Sequence, residues 1–144
     1  MTGTLKDILE AKGRNVFKIG GEASVYDAAK MMVDQNVGSL LVTEGGKVTG
    51  IVTERDYLKR VTLQGRTDLR TAVREICSSP LIVAAPETTV DECMALMTDR
   101  RIRHVPVVED GEVVGLVSIG DLVKFTSAQQ SFELRYLTEY ISAH

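Results

Sequence analysis

The chain has 144 residues, of which 44% are hydrophobic and 26% charged, and its formal net charge at pH 7 is −3. These proportions are those of a globular protein, and no apolar run approaches the roughly 20 residues a membrane-spanning helix requires. An acidic balance, 5% aromatic residues and no tryptophan argue against a general nucleic-acid binder, which needs cationic surface and stacking platforms.

In chain order, Leu5 to Leu9 form a helical lead-in and Val16 to Ile19 an extended segment closed by Gly20-Gly21. Ser24 opens an amphipathic helix: Val25, Ala28, Ala29, Met32 and Val33 recur at helical spacing, and Ser24 with Asp27 makes a capping pair. Ser39 to Thr43 and Val48 to Thr53 are apolar and rich in β-branched residues, and Glu44-Gly45-Gly46-Lys47 between them suits a hairpin turn. A second helix follows. After a short linker, Gln64 to Asp68, the order returns: a lead-in turn at Val73 to Cys77, then a helix capped by Thr89 and Glu92. A hairpin from His104 to Ser118, turning at Glu109-Asp110-Gly111-Glu112, and another helix complete it. In the tail from Gln129, Phe132, Tyr136 and Tyr140 recur every four residues beside Leu137 and Ile141, an apolar helical face that needs the protein body or a second subunit to cover it.

The return is a duplication. At a constant offset of 65, Glu22 to Val61 overlay Glu87 to Thr126 without a gap, with 12 identities in 40 positions. The lead-ins align at an offset of 68, so the first copy carries three extra residues around Lys12-Gly13-Arg14. Domains are expected at 1–65 and 66–126, with a C-terminal helix over 127–144. Each copy is marginal as an independent core, so the two are expected to pack on each other.

Both copies end their hairpin in the same polar pattern: Gly50-Ile51-Val52-Thr53-Glu54-Arg55-Asp56 and Gly115-Leu116-Val117-Ser118-Ile119-Gly120-Asp121. A hydroxyl residue followed three positions later by aspartate is a capping box, and capping alone explains such a pair on very many helices. The same pair at a strand-to-helix junction also suits a ligand, because free N–H groups attract an anion and a carboxylate there can accept both hydroxyls of a ribose. Arg103 and His104 begin the first hairpin strand of the second copy and supply the donors a phosphate needs. Arg100 and Arg101 read as a solvated helix end. Ribose and phosphate together point to a nucleotide.

These motifs, with Val105-Pro106-Val107-Val108 and its counterpart Leu40-Leu41-Val42, resemble a tandem pair of CBS domains of the cystathionine β-synthase type, a Bateman module, over nearly the whole chain. The resemblance implies an α/β fold of two β-α-β-β-α repeats packed sheet to sheet with pseudo-two-fold symmetry. It also implies two clefts for adenine nucleotides, AMP and NAD(H), and association into a homodimer. By position, Asp56 and Asp121 would hold ribose hydroxyls, and Thr53 and Ser118 would cap their helices and touch sugar or phosphate. Arg103 and His104 would meet phosphate. Backbone near Lys18-Ile19 and Val83-Ala84 would read adenine, with Pro106 and Ile119 as apolar walls. The copies differ where Gly38-Ser39 replaces Arg103-His104 and Arg55 replaces Gly120, so the two sites are expected to be unequal.

No catalytic set accompanies these residues: there is no phosphate-loop, nucleophile-elbow or zinc-protease motif, and only His104 and His144 offer imidazole. Cys77 and Cys93 lack metal or redox spacing and read as packing thiols. The expectation is therefore a non-catalytic, cytoplasmic nucleotide sensor acting on an unknown effector protein, with a ligand-free dimerisation adaptor as the alternative. A nucleotide-processing enzyme is a weaker third reading.

Overall fold

Side-chain caps fix where the helices of this chain begin. The computed structural model describes residues 3–78 and 81–128. In it, α1 (Leu5–Lys12), β1 (Lys18–Gly20), α2 (Val25–Gln35), β2 (Ser39–Glu44), β3 (Lys47–Thr53) and α3 (Glu54–Tyr57) follow one another. A π-helical turn at Leu58–Thr62 extends α3, and a 3-10 turn at Val73–Glu75 precedes α4 (Val90–Arg100), β4 (His104–Glu109), β5 (Glu112–Ser118) and α5 (Ile119–Ala128). Ser24 Oγ accepts from the Asp27 N–H at 3.1 Å, and Thr89 with Glu92 forms the full reciprocal box. The equivalent residues Asn36 and Arg101 end α2 and α4 in the left-handed conformation, with φ of 54° and 56°. The tail, including Phe132, Tyr136 and Tyr140, lies outside the described residues.

The two hairpins are built alike. Each turns through two residues of positive φ, Gly45-Gly46 and Asp110-Gly111, the geometry that matches the twist of paired strands. Each carries a register shift at the same place, between Val42 and Thr43 and between Val107 and Val108. β1 adds a parallel strand to the first hairpin through the Ile19–Val42 pair. In the second copy the expected extended segment shrinks to one parallel bridge between Ala84 and Val107, the equivalent position.

The compact units are not the linear repeats. One unit is Asn15–Ile82, and the other joins the stretch up to Arg14 to the chain from Val83 onward. The boundaries at 65 and 66 therefore mark the repeat in the sequence, whereas the spatial units exchange their lead-ins. Leu5, Ile8 and Leu9 are buried with Val90, Cys93, Met97, Val105, Val107, Val117 and Leu122. Val73 and Ile76 are buried with Val25, Met32, Leu40, Val42 and Val52. The same three backbone bonds fasten each lead-in. Leu5 N–H donates to Thr88 O at 2.9 Å, Lys6 N–H to Pro86 O at 2.9 Å and Val90 N–H to Gly3 O at 3.0 Å. Val73 N–H to Ala23 O, Arg74 N–H to Gly21 O and Val25 N–H to Thr71 O, at 2.8, 2.9 and 2.8 Å, repeat them.

This exchange explains a glycine in each hairpin motif. A Cβ on Gly50 would stand 2.9 Å from the Ser78 carbonyl oxygen and 3.2 Å from Cys77 Sγ, and one on Gly115 would stand 2.6 Å from Leu9 Cδ2. Both glycines are buried where the lead-in crosses the last strand. Gly50→Ala is expected to cost about 1–3 kcal/mol, since backbone must yield to admit the methyl group. Gly120→Ala, whose Cβ would meet Ser118 Oγ at 3.6 Å, is expected to be neutral or slightly stabilising. Urea denaturation midpoints of the two variants check this contrast.

Candidate functional site

In each unit the last hairpin strand runs into the following helix, and the backbone holds both junctions in one way. Glu54 N–H donates to Gly38 O at 3.1 Å, and Ile119 N–H, its equivalent, donates to Arg103 O at 2.9 Å. The residue before the first hairpin strand is thereby tied to the first turn of the helix. Thr53 lies opposite Ser39, and Ser118 opposite His104.

Both hydroxyl–aspartate pairs make the capping box. In the first, Thr53 Oγ1 accepts from Asp56 N–H at 3.1 Å, while Asp56 Oδ2 accepts from Thr53 N–H at 3.0 Å and from the Thr53 hydroxyl at 3.1 Å. In the second, Ser118 Oγ accepts from Asp121 N–H at 3.1 Å and Asp121 Oδ2 accepts from Ser118 N–H at 2.8 Å. Capping engages only Oδ2 of each carboxylate. Among the described residues no protein donor reaches either Oδ1. Capping and ligand binding are thus compatible in one side chain, which the sequence pattern set against each other.

The remaining expected residues divide between the units. Lys18 and Ile19 lie on β1, Lys18 exposed and Ile19 buried, with Arg55 exposed beside the first junction. In the other unit Arg103 and Gly120 are exposed, while His104, Ser118 and Ile119 are half-buried around the second junction. Pro106 is buried, and its carbonyl accepts from Ala84 N–H at 3.0 Å, which ties the Val83-Ala84 segment to β4. Arg103, His104, Ser118, Ile119, Gly120 and Asp121 thus share one end of their sheet. The Arg103-His104 pair has no counterpart at Gly38-Ser39.

Lys12 was not among the residues singled out from the sequence. Its Nζ donates to Asp121 Oδ2 at 2.7 Å, across 109 positions of chain, and to Leu116 O at 2.9 Å. Its place in the extra Lys12-Gly13-Arg14 insertion was the one signal available. Burial pushes the Asp121 carboxyl upward, but the Lys12 hydrogen bond and charge, with the Ser118 bonds, outweigh it and hold the group below the usual aspartate range.

A groove of about 460 Å³ in the Asn15–Ile82 unit is lined by Ala29, Met32, Val33, Tyr57 and Leu58, among others. It holds none of the expected nucleotide residues and only borders the first junction through Gly38 and Glu54. Burial raises the Tyr57 hydroxyl, reinforced by its 3.0 Å bond to Asp68. Cys93 sits in the core of its unit, its thiol pushed up by burial to about 11, and Cys77 is partly buried with its thiol raised for the same reason. Both are free. Among the described residues no cluster of side chains could hold a metal ion, and no helix is long and apolar enough to cross a membrane.

The CBS domain family profile matches residues 5–63 and 73–128. A mitochondrial CBS domain-containing protein of Arabidopsis thaliana, CBSX3, is 41% identical over 147 residues, spanning 96% of this chain and 71% of that protein. The structure of a CBS-domain protein from Burkholderia ambifaria, described provisionally as acting in signal transduction, superposes with a TM-score of 0.86 at 46% identity, covering 88% of this chain and 96% of that one. A hexameric CBS-CP12 protein from bloom-forming cyanobacteria follows with a TM-score of 0.77 at 31% identity, over 85% of this chain and 70% of its own. The chain belongs to the CBS-domain family and carries the domain twice.

The lowered Asp121 acidity has a testable sign. A carboxyl whose folded pKa lies below its unfolded value, about 3.9, stabilises the fold above that value and loses the contribution as pH falls through the folded pKa. Asp121→Asn is therefore expected to lower the melting temperature at pH 7, and the gap from the wild type should begin to narrow as pH falls below about 4. Thermal unfolding across pH 3 to 7 measures it.

Proposed function

We propose that the protein is a non-catalytic regulatory module that binds adenine nucleotides at its strand-to-helix junctions, AMP first and NAD(H) by extension. One observation carries the reading: a capped aspartate whose Oδ1 stays open, next to the exposed Arg103 and the half-buried His104. A carboxylate oxygen suits ribose hydroxyls and the two basic residues suit phosphate. The second junction is the stronger site, because the first offers Gly38-Ser39 in place of those two basic side chains. Occupancy shifts the packing of repeats or subunits, and an effector protein reads the shift. The homodimer belongs to the same proposal, supported by the hexameric assembly of the cyanobacterial CBS-CP12 neighbour. A cytoplasmic location is also part of it, with the mitochondrial Arabidopsis relative as the competing case.

A micromolar ligand carries about 8 kcal/mol of standard binding free energy, so a small differential fraction would bias a packing equilibrium. The adaptor reading rests on a specific observation too: both carboxylates complete a cap without any ligand. Thermal shift with AMP, ADP, ATP, NAD, NADH and S-adenosylmethionine separates them. The melting temperature should climb with nucleotide concentration for a sensor and stay flat for an adaptor.

Two variants refine the site. Asp121→Ala is expected to weaken AMP binding about tenfold or more, as when a charge-assisted pair is lost, measured by isothermal titration at a temperature where the variant remains folded. Arg103→Ala should weaken AMP more than adenosine. Equal losses for the two ligands would remove Arg103 from the phosphate.

A further inference from the structure

We propose that Lys12 is a positioning residue of the second junction, its ammonium pinning Asp121 Oδ2 so that Oδ1 stays available to a ribose hydroxyl. The inference rests on the nucleotide-binding reading above and names a residue that neither the repeat nor its polar motif contains. Its basis is a comparison of the two junctions. In the Asn15–Ile82 unit two separate groups do the work: Ser78 N–H donates to Ile51 O at 2.9 Å, and the Thr53 hydroxyl donates to Asp56 Oδ2 at 3.1 Å. In the other unit the equivalent acceptors are Leu116 O and Asp121 Oδ2. Lys12 Nζ donates to both, at 2.9 and 2.7 Å. One cation thus closes the strand edge and orients the carboxylate together.

The pair is partly shielded, with side-chain exposures of 37% for Lys12 and 22% for Asp121. A carboxylate this far from water needs compensation to remain ionised. The basic residues on the elements that meet at this junction are Lys12 at the end of α1, Arg103 just before β4, His104 at its first position and Lys124 on α5. Lys12 is the one of these in direct ionic contact with Asp121. Without it, only the Ser118 bonds oppose burial, and the carboxylate loses the contact that fixes Oδ2. Because Lys12 ends the exchanged lead-in, the second site depends on a residue contributed from before the first repeat.

The test uses the full chain in an Asp56→Asn background, so that titration with AMP reads the second junction alone. Lys12→Met is expected to weaken AMP about five- to twentyfold, a range typical of coupled neighbours, and Lys12→Arg to recover most of the loss. In ligand-free protein, the carboxyl carbon signal of Asp121 should titrate at higher pH in Lys12→Met than in wild type. A packing role alone would lower stability without moving that titration. If the Asp56→Asn protein binds AMP and Lys12→Met binds it equally, or if the Asp121 titration does not move, Lys12 loses this role while the sensor reading stands. If the protein without substitutions binds none of the adenine nucleotides, the sensor reading itself falls and this role with it.

Discussion

Everything in this structure depends on the exchanged lead-ins. Neither copy closes its core with the residues that immediately precede it. Leu5, Ile8 and Leu9 fill the core of the second copy, and Val73 and Ile76 fill that of the first. Removing such side chains from a packed core costs about 2–5 kcal/mol each, so losing a lead-in, which lies outside the repeat it completes, is expected to destabilise that unit strongly. The three bonds at each crossing set the register of this contact, and their near-equal lengths show that the duplication preserved the docking as well as the repeats.

The site inherits its form from that constraint. Gly50 and Gly115 admit the crossing lead-in to the last hairpin strand, which runs straight into the helix bearing the aspartate. A side chain at either glycine would push against Ser78 and Cys77 or against Leu9 and disturb the junction from behind. The polar pattern that suggests a ligand is therefore part packing and part chemistry: the glycine serves the exchange, the hydroxyl serves the cap, and the aspartate serves the cap through one oxygen while offering the other.

Asymmetry between the copies is written on a symmetric frame. Turns, register shifts, helix ends and caps coincide at the offset of 65. The charges do not. Arg103 and His104 stand where Gly38 and Ser39 stand in the first copy, and Lys12 pairs with Asp121 while Asp56 relies on its own threonine. Each junction therefore carries an arginine in a different place, Arg103 before the strand in the second copy and Arg55 on the helix in the first, so under the proposed function the two would meet a phosphate differently.

Most of the fold was legible in the chain because its signals are short-range. Ser24, Thr89, Thr53 and Ser118 bond groups three residues away, Gly45-Gly46 and Asp110-Gly111 set their own turns, and apolar spacing marks each buried face. The hydroxyl–aspartate pairs and the arginine beside the second were visible for the same reason. Which lead-in closes which core was not visible, because Leu5 and Val73 carry the same pattern and either core would accept either one by hydrophobicity alone. The shortening of the second copy's first strand to the Ala84 bridge, and the 109-residue span from Lys12 to Asp121, were equally hidden. Local caps and periodicity belong to the sequence by itself. Partners far apart along the chain are chosen only when the folded backbone brings them within bonding distance.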